Sequence, residues 1–160
     1  MLSSNPETIS EIRMYFQGVR WAKPDPDELI EITRRFFQDH GLDFDNLQQV
    51  DHFLLSILEP QWKDCGLREQ TLTAQIREEY RKAGATEPQL NWGKIENIPL
   101  SRKSERRVHQ LREELDALRT SALPIMGMAA ALNETKARLT HHQMKKSASI
   151  GSLPLTHRKA

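Results

Sequence analysis

The stretch LQQVDHFLLSILEP, residues 47–60, decides the fold. Leu47, Val50, Phe53, Leu54, Ile57 and Leu58 recur three or four residues apart, so they share one face of a helix. Six large apolar side chains on one stripe mark it as the most deeply buried helix of a core. Pro60 is expected to end it, because proline lacks a backbone donor and its ring meets the carbonyl four residues back. Asp43 or Asp45 is the expected cap at its start.

Working outward, Asn5-Pro6 and Asp25-Pro26 carry the same start signal, a capping side chain followed by proline at the first helical position. The first helix presents Ile9, Ile12, Phe16 and Val19 on one face, with Gly18 at its end. The second runs to about His40 with Leu29, Ile32, Phe36 and Phe37 facing inward, and Gly41 is its expected C-cap. A fourth helix, from about Leu67 to Ala83, has a thin stripe of Leu72, Ile76 and Tyr80, then Gly84. Residues 1–84 therefore read as a compact four-helix body, and the fold class as all-α.

Residues 85–103 show neither helical nor strand periodicity. Pro88, Gly93 and Pro99 punctuate them, while Leu90, Trp92, Ile95 and Ile98 are apolar. This pattern predicts an extended connector docked on the body by Trp92 and the two isoleucines. Residues 104–144 read as a helical pair, with Ser101 or Ser104 as the cap. Val108, Leu111, Leu115 and Leu118 form an a/d seam. Pro124 interrupts it, so Ser121 is the expected cap of a further helix using Ile125, Ala129, Leu132 and Leu139. The pair is either a hairpin or one helix kinked at Pro124. The Met- and Ala-rich run from Ile125 to Leu132 permits close helix packing. Residues 145–160, containing Ser, Lys, Gly and Pro154, read as a disordered basic tail.

Charge divides the chain at nearly the same place as aromatic content. Residues 1–100 hold 11 Lys/Arg against 17 Asp/Glu, and residues 101–160 hold 12 against 5. All ten aromatic side chains precede residue 93. Such asymmetry points to a basic segment attached to a folded body. No apolar run approaches the length that spans a bilayer. The opening Met1-Leu2-Ser3-Ser4-Asn5-Pro6 lacks the basic and apolar regions of a secretory signal. A single cysteine, Cys65, cannot form an intrachain disulfide, so the expected setting is intracellular and cytoplasmic, with the nucleus also open.

No stretch carries a catalytic, cofactor-binding or metal-binding pattern, and no enzyme, cofactor or metal is expected. Asp39 to Asp45 superficially resembles a calcium loop but supplies neither the glycine nor the final glutamate in frame. A helix C-cap followed by an Asp cap accounts for it. His141-His142 are adjacent and point to different sides of a helix. Glu78-Glu79 and Glu113-Glu114 likewise diverge. Arg68, Gln70, Thr71, Thr73, Gln75 and Arg77 are base-reading residue types. A helix-turn-helix reading of them is weakened by the long connection through Pro60 and by the acidic character of the body.

The expected function is non-catalytic: an interaction or assembly protein that binds other protein chains through its C-terminal helices. The expected contact residues are Val108, Leu111, Leu115, Leu118, Leu132 and Leu139. The alternative is a nucleic-acid-binding or regulatory protein. It would meet RNA, DNA or an acidic partner through Arg102, Lys103, Arg106, Arg107, Lys145 and Lys146. Basic side chains at a helix start oppose the helix dipole, so local stability does not account for that cluster.

Overall fold

A computed structural model describes residues 5–91 and 98–158, with side chains described as far as Lys146. Its elements are α1 (Pro6–Tyr15), α2 (Pro26–Asp39), α3 (Leu47–Phe53), a π-helical turn (Leu54–Leu58), α4 (Glu59–Lys82), α5 (Glu87–Asn91) and α6 (Arg102–Arg158). The fold is all-α, without a strand among the described residues. No described helix is long and apolar enough to cross a membrane.

The chain forms two compact units. One is Met1–Gln61 with Pro124–Ala160, the other Trp62–Leu123. These differ from the sequence division at residue 84, because α4 and α6 each contribute to both units. Each boundary falls within two residues of a proline inside a helix, Pro60 and Pro124.

In the first unit the proline start signals act as read. The Asn5 side chain accepts from the Thr8 amide at 2.8 Å, and Asp25 accepts from the Asp27 amide at 3.0 Å. α2 closes at Gly41, whose φ of 68° lies in the left-handed region that glycine adopts without a Cβ penalty. The Leu42 amide donates to the Phe37 carbonyl at 2.8 Å, and the Gly41 amide to Gln38 at 3.2 Å. This paired closure satisfies carbonyls that the helix end would leave bare. The α3 cap is Asn46, accepting from Gln49 at 3.1 Å, rather than Asp43 or Asp45. Asp43 is occupied in a local turn, accepting from the Asp45 amide at 2.9 Å.

Pro60 does not end the third helix. Helical backbone continues from Leu47 to Lys82 through the π turn. The wider turn lies immediately before Pro60, where the proline ring would otherwise crowd the Ser56 carbonyl. The expected stripe is buried at Val50, Phe53, Leu54, Ile57 and Leu58. Aromatic contacts tie α1, α2 and α3 together. Phe36 meets Tyr15 edge-on at 5.1 Å and Phe53 at 5.7 Å, and Phe37 meets Phe53 at 5.1 Å and Phe44 at 5.4 Å. Phe36, Phe37 and Phe53 are almost fully buried. Each contributes about 1.5–3 kcal/mol relative to exposure.

Ile125, Met128 and Leu132 of α6 are also fully buried within the first unit. Gly127 allows the close approach expected of this stretch. A Cβ built there would lie 2.7 Å from the Trp21 ring, which itself stacks on Phe16 at 6.0 Å. Lys136 reaches Asp51 from the same segment. Pro124 does not divide α6 into a pair, so the continuous helix replaces the hairpin of a fifth and sixth helix. The lost hydrogen bond costs about 3 kcal/mol. Burial of Ala122, Ile125 and Met128 on either side opposes that cost. Beyond Lys145, α6 continues to Arg158 where the composition predicts a disordered tail. Extending a helix costs far less than nucleating one. The rest of that tail, residues 159–160, lies outside the described residues.

In the second unit, Ile76, Tyr80, Ala85, Leu90, Val108, Leu111 and Leu115 form one apolar cluster, joined by Leu72, Ile98 and Leu100. The expected extended connector is helical at Glu87–Asn91. Thr86 and Gln89 start that helix reciprocally. The Thr86 amide donates to Gln89 Oε1 at 2.8 Å, and the Gln89 amide donates to Thr86 Oγ1 at 3.4 Å. This is a capping box, legible as Thr86-Glu87-Pro88-Gln89 but overlooked because of its brevity. Of the residues expected to dock, Ile98 packs against this cluster, and Leu90, not among them, is part of it. Trp92 and Ile95 lie outside the described residues.

Candidate functional site

α6 starts at Ser101, whose hydroxyl accepts from the Ser104 amide at 3.2 Å, so the sequence signal for a cap is realised there. The next two turns carry Arg102, Lys103, Arg106 and Arg107, all exposed. Arg102 with Arg106, and Lys103 with Arg107, are four apart and form two adjacent columns on the helix surface. None of the four forms an ion pair or hydrogen bond among the described residues. Of the neighbouring carboxylates, Glu79 and Glu113 are engaged elsewhere, while Glu105 lies within the cluster. Glu79 accepts from the Ser104 hydroxyl at 3.0 Å and pairs with Lys82 at 3.6 Å. Glu113 pairs with His109 at 2.9 Å. Arg81 belongs to Glu78 and Glu87, and its guanidinium pKa is raised, first by the hydrogen bond to Glu78.

Two depressions flank this cluster, both within the second unit. One, of about 800 Å³, has Ile98, Leu100 and Val108 among its lining, with Arg102, Arg106 and Arg112 as its basic side chains. Arg112 is positioned by donating to the Tyr80 hydroxyl at 3.2 Å. The other, of about 790 Å³, has Lys82, Lys103 and Arg107 as basic side chains and Glu79 as its carboxylate, and shares Arg102 and Arg106 with the first. The site thus combines exposed positive charge with apolar surface.

The leucine stripe has a different fate. Val108, Leu111 and Leu115 are buried against Ile76 and Tyr80 of α4. Glu79 with Ser104, Tyr80 with Arg112, and Glu69 with Arg119 pair in opposite chain directions. α4 and the first part of α6 therefore form an antiparallel hairpin. The seam is satisfied inside the chain rather than left for another molecule, because α4 offers a matching apolar stripe. Leu118 is half-buried. Leu132 is fully buried in the first unit, and Leu139 is half-buried there. Lys145 and Lys146 are exposed but belong to the first unit, apart from the other four basic residues in the chain's division.

Helical continuity from Leu47 to Lys82 removes the turn that a helix-turn-helix requires before the fourth helix. Residues 39–45 form the α2 closure and the Asp43 turn described above. Among the described residues no three His, Cys, Asp or Glu side chains gather as a metal site. Tyr80, Ile98, Leu100 and Arg112 were not legible as site residues. Ile98 and Leu100 lie in an aperiodic stretch, and Tyr80 reads as core. Compared with models of protein families, with curated proteins and with solved structures, the chain matches none of them.

Proposed function

We propose that the protein is a non-catalytic interaction module that binds another protein chain through the exposed start of α6. The working surface is the basic cluster Arg102, Lys103, Arg106 and Arg107, not the leucine stripe. The observation that carries this reading is that four exposed basic side chains at the positive end of a helix have no ion-pair or hydrogen-bond partner among the described residues. Like charge at that end opposes the dipole and weakens the helix locally. An arrangement that costs local stability is better accounted for by an external partner. The leucines support the surface from beneath by fastening α6 to α4. An intracellular setting fits a chain whose single cysteine, Cys65, cannot form an intrachain disulfide.

Nucleic-acid binding ranks second. Glu105 interrupts the basic cluster, and no exposed aromatic platform accompanies it among the described residues. Affinity capture with the full chain tests the interaction reading. Wild-type protein should retain a specific protein partner through moderate salt. A variant with Arg102, Lys103, Arg106 and Arg107 all changed to Gln should lose it while keeping its helical circular dichroism and melting temperature. Capture of no protein partner by the wild-type chain would refute the interaction reading.

A further inference from the structure

We propose that the depression beside the start of α6 takes an acidic peptide segment, one carrying an apolar side chain between carboxylates. This deepens the interaction reading above and rests on it. The lining has two kinds of surface. Ile98, Leu100 and Val108 supply apolar area, and Arg102 and Arg106 stand at the edge shared with the second depression. Lys103 and Arg107 continue the positive field on the next column of the helix. A peptide laid across this region would seat an apolar side chain against the isoleucine and leucine. Its flanking carboxylates would meet the four basic groups, which have no partner among the described residues. Arginine suits this task because its planar donors match a carboxylate in pairs.

The same details disfavour a polyphosphate chain. Glu105 lies in the lining between Arg102 and Arg106 in sequence, and would face a phosphate every few ångströms of backbone. A peptide can place an apolar or polar residue opposite that carboxylate, whereas a nucleic-acid backbone cannot skip a charge. The apolar lining offers nothing to phosphate or ribose. Arg112 is already held by Tyr80 and defines a fixed end of the depression. His109 is paired with Glu113, so the pull on acidic groups concentrates in the first two turns of α6.

The test uses the full chain and a fluorescein-labelled dodecapeptide of three Glu-Leu-Asp-Glu repeats, read by fluorescence anisotropy. Two further probes are the same peptide with Ser in place of Leu, and a labelled polyuridine of equal length. The leucine peptide should bind, and affinity should fall as salt rises. The serine peptide should bind about fivefold to tenfold more weakly, as expected when a leucine is partly buried. Changing Arg102, Lys103, Arg106 and Arg107 to Gln should weaken the leucine peptide by at least about tenfold, because four exposed pairs act together. An R102Q/R106Q variant, which alters only the shared edge, should give part of that loss if the full set disturbs folding. The proposal is overturned if the leucine peptide does not bind, or if polyuridine binds more tightly. Indifference of a folded variant to the loss of charge, or equal binding of the serine peptide, overturns it as well. A leucine peptide that fails to bind, with a protein partner captured by the wild-type chain and lost by the charge-neutral one, would leave the interaction reading standing and overturn only this ligand.

Discussion

At the residue scale, small details of contact set measurable behaviour. Tyr15 donates its hydroxyl proton to Asp39, which holds the phenol in its neutral form. Its pKa is pushed up to about 12, first by that hydrogen bond and then by burial and the nearby carboxylates Asp39 and Glu11. A raised pKa means that the folded state holds a proton the unfolded chain would release. The stabilisation is complete below the ordinary phenol pKa of 10.0 and is lost as pH rises toward 12. Absorbance titration should show Tyr15 ionising near pH 12, and Asp39→Asn should bring it down. If Tyr15→Phe leaves the alkaline unfolding curve unchanged, the contact has no such effect. Gly127 makes the second case. Alanine there gains up to about 1 kcal/mol of helix propensity. The added methyl, however, meets a Trp21 ring held by Phe16, and overpacking costs about 1–3 kcal/mol. Gly127→Ala should therefore lower the melting temperature and shift tryptophan emission, whereas the same change in a Trp21→Ala background should raise stability.

At the element scale, a helix face is used by whichever neighbour offers a match. His40 illustrates the local side of this. Its Nδ1 donates to the Phe36 carbonyl at 2.7 Å, while Nε2 lies 2.5 Å from a Glu11 carboxylate oxygen, fastening α1 to the end of α2. α6 illustrates the longer reach. Its leucines read as a seam for another chain, yet Leu111 is buried at 1 % exposure against α4. Leu111→Ala should cost about 2–5 kcal/mol, and the loss should persist at high dilution, since no second molecule is needed to bury the side chain. Hydrogen exchange of residues 72–80 should quicken in the same variant. A stability loss that vanishes on dilution would instead assign the stripe to self-association.

At the scale of the whole molecule, the first unit is built from sequence segments far apart. Residues 124–160 join residues 1–61 in it, and they supply the fully buried Ile125, Met128 and Leu132. A fragment of residues 1–100 holds every aromatic side chain and the whole four-helix body read from residues 1–84. It lacks these three core side chains. Their absence removes about 1.5–3 kcal/mol each from a total stability of only about 5–15 kcal/mol. The fragment should therefore be helical but melt broadly, without the sharp transition of the full chain. A full-strength cooperative melt from residues 1–100 alone would show that α6 is dispensable to that core.

The sequence by itself determined the all-α class, the starts of α1, α2 and α6, the left-handed closure at Gly41 and the buried stripe of residues 50–58. Each of these is a local matter, settled by a capping side chain, a glycine, or apolar spacing within a few turns. Tertiary structure decided the rest. Proline at 60 and 124 signals a break locally, but the helices run through both, because burial on either side outweighs one lost hydrogen bond. The Val108–Leu115 stripe states that it must be covered and does not state by what. Only the placement of Ile76 and Tyr80 across the α4–α6 hairpin answered that, and in doing so it left the basic residues of the same turns facing outward. Apolar contact is non-directional, so periodicity in one segment specifies a buried face without naming its partner.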